Sequence, residues 1–384
     1  MQRTVEYDPF SEERRRTRLT TPGKQSCVRP PDSVVKWDRG YSPTGGRGGR
    51  EATLRVGVIG VGRIGVEHAR MLAAAADIDS ITVADADGDR AEKVAADLGV
   101  GSEARVEDLL GAVDAVVIAA ATSSHAELIK SAIERGLPTF CEKPIALDLD
   151  STLEIVELVG RSEVPLQMGF QRRFDEGYRD AHDLVTSGAL GDLYIVRMAG
   201  HDPAPPHESY IKSSGGIFRD FSIHDFDALR FVTGDEICEV YADGSATKFP
   251  IFESHGDVDT AAAVLKLNSG AFGILSVTRH DPLGYDVRME LFGSGDSVAV
   301  GWNERTPLRS IEPRMPGPPP NAYPNFQERF RDAYRRELAA FIEVAQGVRS
   351  SPCTAEDALE ALRVAVACDL SREQHRPVKL EEVL

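Results

Sequence analysis

Two stretches far apart in the chain carry residue types that move protons. One is Glu142-Lys143-Pro144; the other runs from Gly215-Gly216 through Asp220 to His224. A proline ring pushes its predecessor out of helical geometry, so Lys143 is expected where a strand gives out into a loop. Asp220 and His224 are four apart in a helix-like pattern and Asp227 follows three later, a spacing that puts side chains on one face. A carboxylate that orients an imidazole, with an ammonium delivered from another element, is what proton transfer at a hydroxyl group requires. In this reading His224 is the base, Asp220 fixes its tautomer, and Lys143 stabilises charge developing on oxygen. Plainer readings stay open. Lys143 alone suits a surface strand end, Asp220 and His224 alone suit a helix-surface ion pair, and Ile217, Phe218, Phe221 and Phe226 suit a histidine satisfied in a core. A metal held by Asp220, His224 and Asp227 would lack a second histidine, so no metal is expected.

A third stretch supplies an oxidant. Val56-Gly57-Val58-Ile59 runs into Gly60-Val61-Gly62-Arg63-Ile64-Gly65, an apolar strand followed by G-x-G-x-x-G, and a helical pattern over 64–76 follows at once. The first glycine permits a tight turn, the second lets backbone approach a pyrophosphate, and the third lets helix and sheet pack closely. A second strand, Ser80–Ala84, ends at Asp85, 20 residues past Gly65, where a ribose-binding carboxylate is expected. Asp85 would repel a 2′-phosphate, so NAD is expected over NADP, with Arg90 softening the preference. Asp85 also suits the N-cap of the following helix. A dinucleotide beside a proton-transfer set implies dehydrogenation of an alcohol.

The elements that must position these residues alternate from Leu54 to Gly169. Helix 87–98, strand 115–119, helix 125–135, a strand into Cys141, helix 151–159 and strand 165–169 follow the first two strands. The strands are nearly continuous apolar runs, as buried parallel strands are, so the fold class is α/β with a doubly wound parallel Rossmann sheet. Gly60, Asp85, Thr122 and Lys143 all fall at C-terminal strand ends, where such sheets bind ligands. Beyond Phe170 the pattern changes: strand 193–200, helix 216–231, hairpin-like strand pairs 260–267 with 271–277 and 286–292 with 297–302, a proline-rich connection 313–324, and helices 327–346 and 355–372. This is an α+β pattern with a large, mainly antiparallel open sheet. The expected organisation is an extension over residues 1–50, a dinucleotide domain over 51–169, and a substrate and oligomerisation domain over 170–384.

At 384 residues the chain is long enough for two cores, and 42% hydrophobic residues fit a globular protein. A net charge of −17 argues against nucleic acid and anionic membranes as partners. Five scattered cysteines without a Cys-x-x-Cys pair suit reduced thiols. Arg14-Arg15-Arg16 is followed by no apolar stretch of the kind a signal peptide needs, so a cytoplasmic protein is expected. Residues 1–50 are charged, Pro/Gly-punctuated and poor in core material; a tail or a basic interaction arm are the two readings.

The glycine loop, Thr122-Ser123-Ser124-His125, Glu142-Lys143-Pro144, and Gly215-Gly216 leading to Asp220-x-x-x-His224 together resemble the Gfo/Idh/MocA oxidoreductases, from residue 54 to the C-terminus. Gly169-Phe170-Gln171-Arg172-Arg173-Phe174-Asp175 with Tyr178, and Gly284-Tyr285-Asp286, are most similar to the inositol 2-dehydrogenase branch. The resemblance implies Lys143, Asp220 and His224 as the catalytic set. It also implies NAD held by Gly60, Gly62, Arg63, Ile64, Gly65, Asp85, Arg90, Thr122, Ser124, His125, Glu142 and Lys143, and a homodimer or homotetramer formed through the C-terminal sheet. The implied substrate is a cyclic polyol, myo-inositol foremost, which would be oxidised to 2-keto-myo-inositol. A ring with many hydroxyls needs several fixed polar partners. Arg172, Asp202, His207 and Tyr285 are the candidates beside Lys143, Asp220 and His224. Asp202 departs from the asparagine often found in that branch, which weakens the polyol assignment. Arg172-Arg173 also suits a solvated pair, and Tyr285 a packed strand residue. Alternatives are another polyol or pyranose (scyllo-inositol, glucose, an amino-sugar precursor), a retained NAD acting as hydride shuttle for glycoside cleavage or elimination, and a non-catalytic dinucleotide-sensing regulator.

Overall fold

The computed structural model describes residues 53–315 and 317–383. The extension expected over residues 1–50 lies outside the described residues. The first sheet is parallel, with strands β1 (Leu54–Ile59), β2 (Ile78–Ala84), β3 (Gly101–Ser102), β4 (Ala115–Ile118), β5 (Thr139–Glu142) and β6 (Leu166–Gly169) in the order β3-β2-β1-β4-β5-β6. That is the doubly wound arrangement, and its strand order reverses between β1 and β4, which opens a crevice at their C-terminal ends. Helices α1 (Gly65–Ala73), α2 (Gly88–Leu98), α3 (Val106–Ala112), α4 (His125–Ile133) and α5 (Leu149–Gly160) make the crossovers. The four residues of β4 are all buried, as expected of a strand covered on both faces.

The second sheet has seven strands: β7 (Leu193–His201), β8 (Ile237–Ser245), β9 (Thr260–Leu267), β10 (Phe272–Thr278), β11 (Asp286–Gly293), β12 (Ser297–Val300) and β13 (Val378–Lys379), in the order β12-β11-β7-β10-β9-β8-β13. All its pairings are antiparallel except β7 with β10. Its accompanying helices are α6 (Glu176–Thr186), α7 (Glu208–Ser214), α8 (Ile223–Thr233), α9 (Ile251–Ser254), α10 (Phe326–Arg329), α11 (Arg331–Ala345) and α12 (Ala355–Gln374). Burial alternates strictly along β9, so one sheet face is covered and the other open. Helix α8 lies so close on the covered face that a Cβ at Gly273 would come within 2.9 Å of Leu229.

Two expectations change. The helix expected over 216–231 begins as a π-helical turn, Phe218–Ser222, before α8 proper. The boundary at residue 170 separates the two sheets but not the two cores. Leu338, Phe341 and Ile342 of α11 pack with Val56, Val58 and Val117, while Ala355, Ala358 and Leu362 of α12 pack with the β4–β6 side. The C-terminal helices therefore brace the first sheet as well as the second.

Candidate active site

The glycine loop fits a dinucleotide by its own sterics. Gly60 has φ +87°, and a Cβ there would meet the Ala120 backbone at 2.5 Å; one on Gly65 would lie 1.9 Å from the Gly60 carbonyl. At Gly62 a Cβ would meet nothing within 4 Å, which leaves open the side from which a pyrophosphate approaches. Asp85, at the end of β2, accepts the Val61 N–H (2.8 Å) and the Asp87 N–H (2.9 Å), so it fixes the loop it is expected to complete. The N-cap of α2 is Asp87, which accepts the Arg90 N–H at 3.2 Å, so the capping reading of Asp85 passes to its neighbour. The Arg90 guanidinium rests on both carboxylates, at 3.3 Å from Asp85 and 3.0 Å from Asp87. Ile64 immediately precedes α1, and Arg63 is exposed with its guanidinium 4.8 Å over the Phe326 ring. Thr122 and Ser124 form the 3-10 turn after β4, facing the same crevice end.

Two further residues expected at the cofactor also make contacts within the protein. His125 is 1% exposed, and its ring nitrogens lie 2.7 Å from the Pro144 carbonyl and 3.0 Å from the Ala120 carbonyl. Burial lowers its pKa. It ties the β4 turn to the Lys143-Pro144 turn, whose peptide bond is cis. Glu142 reaches His68 of α1 at 2.7 Å, which locks the end of β5 to the helix that opens the glycine loop.

Lys143 emerges from β5 with its Nζ 2.5 Å from the Asp220 carbonyl and 3.3 Å from Asp220 Oδ1. The same Oδ1 accepts the Tyr210 hydroxyl at 2.7 Å, and Oδ2 accepts Arg279 Nη2 at 2.8 Å. Burial alone would raise the Asp220 pKa. The charges of Lys143 and Arg279, with hydrogen bonds from Tyr210 and Arg279, outweigh it and hold the carboxyl at about 2. Asp220 thus serves Lys143, and not His224 as the four-residue spacing predicts. The π turn is the reason: widened to i→i+5 bonding, it breaks the register that would stack the two side chains. His224 Nδ1 is buried without a hydrogen-bond partner, and the ring stands edge-on to Phe170 at 5.8 Å. Burial, then Lys143 and Arg172, push its pKa well down, so the imidazole is neutral and able to take a proton.

On the second-domain side, Arg172 is 1% exposed and donates to Asp225, while its Nε and Nη2 have no partner. Arg173 is buried on Asp227, at 2.6 Å, so neither arginine is solvated. Asp227 is thereby removed from any metal reading with Asp220 and His224. Tyr285 is 4% exposed and within electrostatic reach of Arg172, Asp202 and Asp225. Asp202 accepts Arg279 Nη1 at 3.2 Å, and burial raises its pKa against that arginine's pull. His207 is not brought to this group: it is exposed and caps α7 through Ser209. Among the described residues one trio, His201, Asp281 and Asp286, brings ligand-type atoms within 4.8 Å of one another, but Arg288 already holds Asp286 at 2.8 Å. Sequence reasoning missed Arg279 and Tyr210, which belong to no motif; only the tertiary fold brings them to Asp220.

Comparison with known proteins agrees with this geometry. Residues 54–170 match the oxidoreductase family with an NAD-binding Rossmann fold, and 178–299 match the GFO/IDH/MocA C-terminal domain. Myo-inositol 2-dehydrogenase of Thermotoga maritima is 38% identical over 86% of this chain and 100% of its own length. Scyllo-inositol 2-dehydrogenase (NAD(+)) of Bacillus subtilis is 35% identical over 86% of this chain and 97% of its own. The crystal structure of scyllo-inositol dehydrogenase from Lactobacillus casei with bound NAD(H) and scyllo-inositol superposes with a TM-score of 0.78. It is 30% identical and covers 86% of this chain and 99% of its own. The chain belongs to the GFO/IDH/MocA family and is an NAD-binding oxidoreductase of the inositol dehydrogenase type.

Proposed function

We propose that this oxidoreductase converts one ring CH–OH of a cyclic polyol to a ketone, with myo-inositol the first choice and scyllo-inositol the second. The observation that carries the proposal is His224, its Nδ1 buried, within electrostatic reach of the Lys143–Asp220 pair, at the strand ends where the glycine loop opens. Bound NAD supplies the hydride acceptor. His224 takes the hydroxyl proton, and Lys143, its Nζ anchored on Asp220, stabilises the alkoxide that develops. Arg172 offers two unpartnered donors and Asp202 a carboxylate acceptor, the complementary pair a ring with several hydroxyls requires. Relatives named for both myo- and scyllo-inositol, at similar identity, support the class and leave the stereoisomer to experiment. We also propose a homo-oligomer formed through the second sheet.

The test is NADH formation by purified protein across inositols, pyranoses, acyclic alcohols and sugar phosphates. An inositol should give the highest kcat/KM; a greater rate with an acyclic alcohol or a sugar phosphate would refute the polyol reading. On the best substrate NAD should outperform NADP, because Asp85 meets a 2′-phosphate with like charge, and Asp85→Ser should narrow the gap. Equal use of both by the wild type would remove that role from Asp85.

A further inference from the structure

We infer that Arg279 is a positioning residue that makes Asp202 and Lys143 one electrostatic unit, so that engaging a substrate hydroxyl at Asp202 adjusts the cation at the reacting oxygen. Arg279 follows β10, its N–H bonded to the Asp259 carbonyl at 2.8 Å and its side chain 4% exposed. Nη1 reaches Asp202 Oδ2 at 3.2 Å and Nη2 reaches Asp220 Oδ2 at 2.8 Å, while the guanidinium lies 5.1 Å over the Phe221 ring. The planar fork thus spans two carboxylates from different elements, a geometry that a lysine cannot copy fully. Lys143 binds the second of these carboxylates on its other oxygen. Acidic and basic side chains thus alternate in the order Asp202, Arg279, Asp220, Lys143, with Arg63 a further cation within electrostatic reach of Asp202.

The order of the four has a consequence. Ionised Asp202 accepts hydrogen bonds only, so it reads hydroxyls that donate. A hydroxyl that donates to Asp202 weakens that carboxylate's hold on Arg279, and the guanidinium shifts its charge toward Asp220. Asp220 then pulls less on Lys143, and the ammonium is freer to meet negative charge forming on the substrate oxygen. Recognition and charge stabilisation are therefore coupled through one side chain. This rests on the dehydrogenase reading above for its catalytic consequence, though not for the charge alternation itself.

The experiment uses the full chain with Asp202→Asn, Arg279→Met, Arg279→Lys and the Asp202→Asn/Arg279→Met double variant. In each, NAD affinity should stay within about twofold, and kcat of the polyol that the wild type oxidises should fall at least about tenfold in Arg279→Met, with partial recovery in Arg279→Lys. Asp202→Asn should lower kcat as well as raise KM, and should add little once Arg279 is gone, since the chain is already cut. Independent, multiplying effects of the two substitutions would overturn the inference. A second readout needs no turnover: the rate at which an amine-reactive ester labels Lys143 at fixed pH, followed by peptide mapping. Without Arg279, Lys143 faces Asp220 with one fewer neighbouring cation, and labelling should slow by about threefold or more. Unchanged labelling would overturn the inference whether or not any polyol is oxidised. Slowed labelling in a protein that oxidises no alcohol would keep the charge unit and sink the proposed function. Should Arg279→Met fail to fold, the cycle of Arg279→Lys with Asp202→Asn decides by the same criteria.

Discussion

Asp220 is the residue on which the site turns, because three donors from three elements converge on it while His224, its expected partner, stands apart. The motif spacing made both identities legible in the sequence; the π turn that separates them, and the arrival of Tyr210 and Arg279, depend on tertiary packing that no local pattern encodes. The rearranged partnership changes the expected ranking of variants. Lys143→Ala should lower kcat at least about a hundredfold with NAD binding kept, and His224→Ala should do similarly. Asp220→Asn, which from spacing alone would be the milder change, should match them and also destabilise the fold by about 3 kcal/mol, since two buried cations lose their carboxylate. Chemical denaturation alongside kinetics separates the two effects; an Asp220→Asn enzyme with near-normal turnover would restore the older partnership. The pH profile follows from the imidazole. A base must be neutral, and His224 is held well below the ordinary value of 6.5, so oxidation should persist down through the usual histidine range and fall only below it. His224→Ala should abolish that acid-side limb. Asp220, depressed from 3.8 to about 2, contributes stability that is complete above its unfolded value and lost as pH falls toward the folded one.

At the scale of elements, the glycine loop is where sequence and structure agree most closely, because its requirements are local and steric. Each glycine has its own reason, which gives a sharp contrast between substitutions. Gly62→Ala adds a methyl into open space, so the protein should fold normally while NAD affinity drops, about tenfold for a methyl set against a pyrophosphate. Gly65→Ala drives a methyl to 1.9 Å from the Gly60 carbonyl, so it should lower the melting temperature of the apo-protein before any ligand is considered. Equal melting temperatures for the two variants would mean the loop relaxes more than this geometry allows. Other elements were less readable. β3 is two residues long and α3 seven, too short to show a period, and β8 carries Glu239 and Asp243 within an otherwise apolar run. The hairpin of β9 and β10 was readable because one face is covered and the other open, which writes a clean alternation into both strands.

For the whole molecule, the open face of the second sheet is where the proposed homo-oligomer would form. Tyr241, Val264 and Ile274 stand side by side in register on β8, β9 and β10, at 43%, 44% and 38% exposure, with Phe272 at 43% beside them. The opposite face is filled by α8 and α12, and among the described residues no helix covers this row. An exposed apolar row of this kind is the sort of surface that marks a contact site, and here it would have to outweigh the repulsion between copies of net charge −17. A two-fold interface sets the same patch of both copies against each other, and an apolar row can meet its own copy without opposing like charges. The wild type should therefore elute with the mass of a dimer or tetramer by light scattering at micromolar concentration. Val264→Lys, which places an ammonium at the centre of the row, should shift it to monomer. NAD affinity should not change, because the substitution lies on the face turned away from α8 and α12. A wild type that is monomeric at every concentration, or a Val264→Lys protein that keeps its assembly, would show that the row is covered by something other than a second copy.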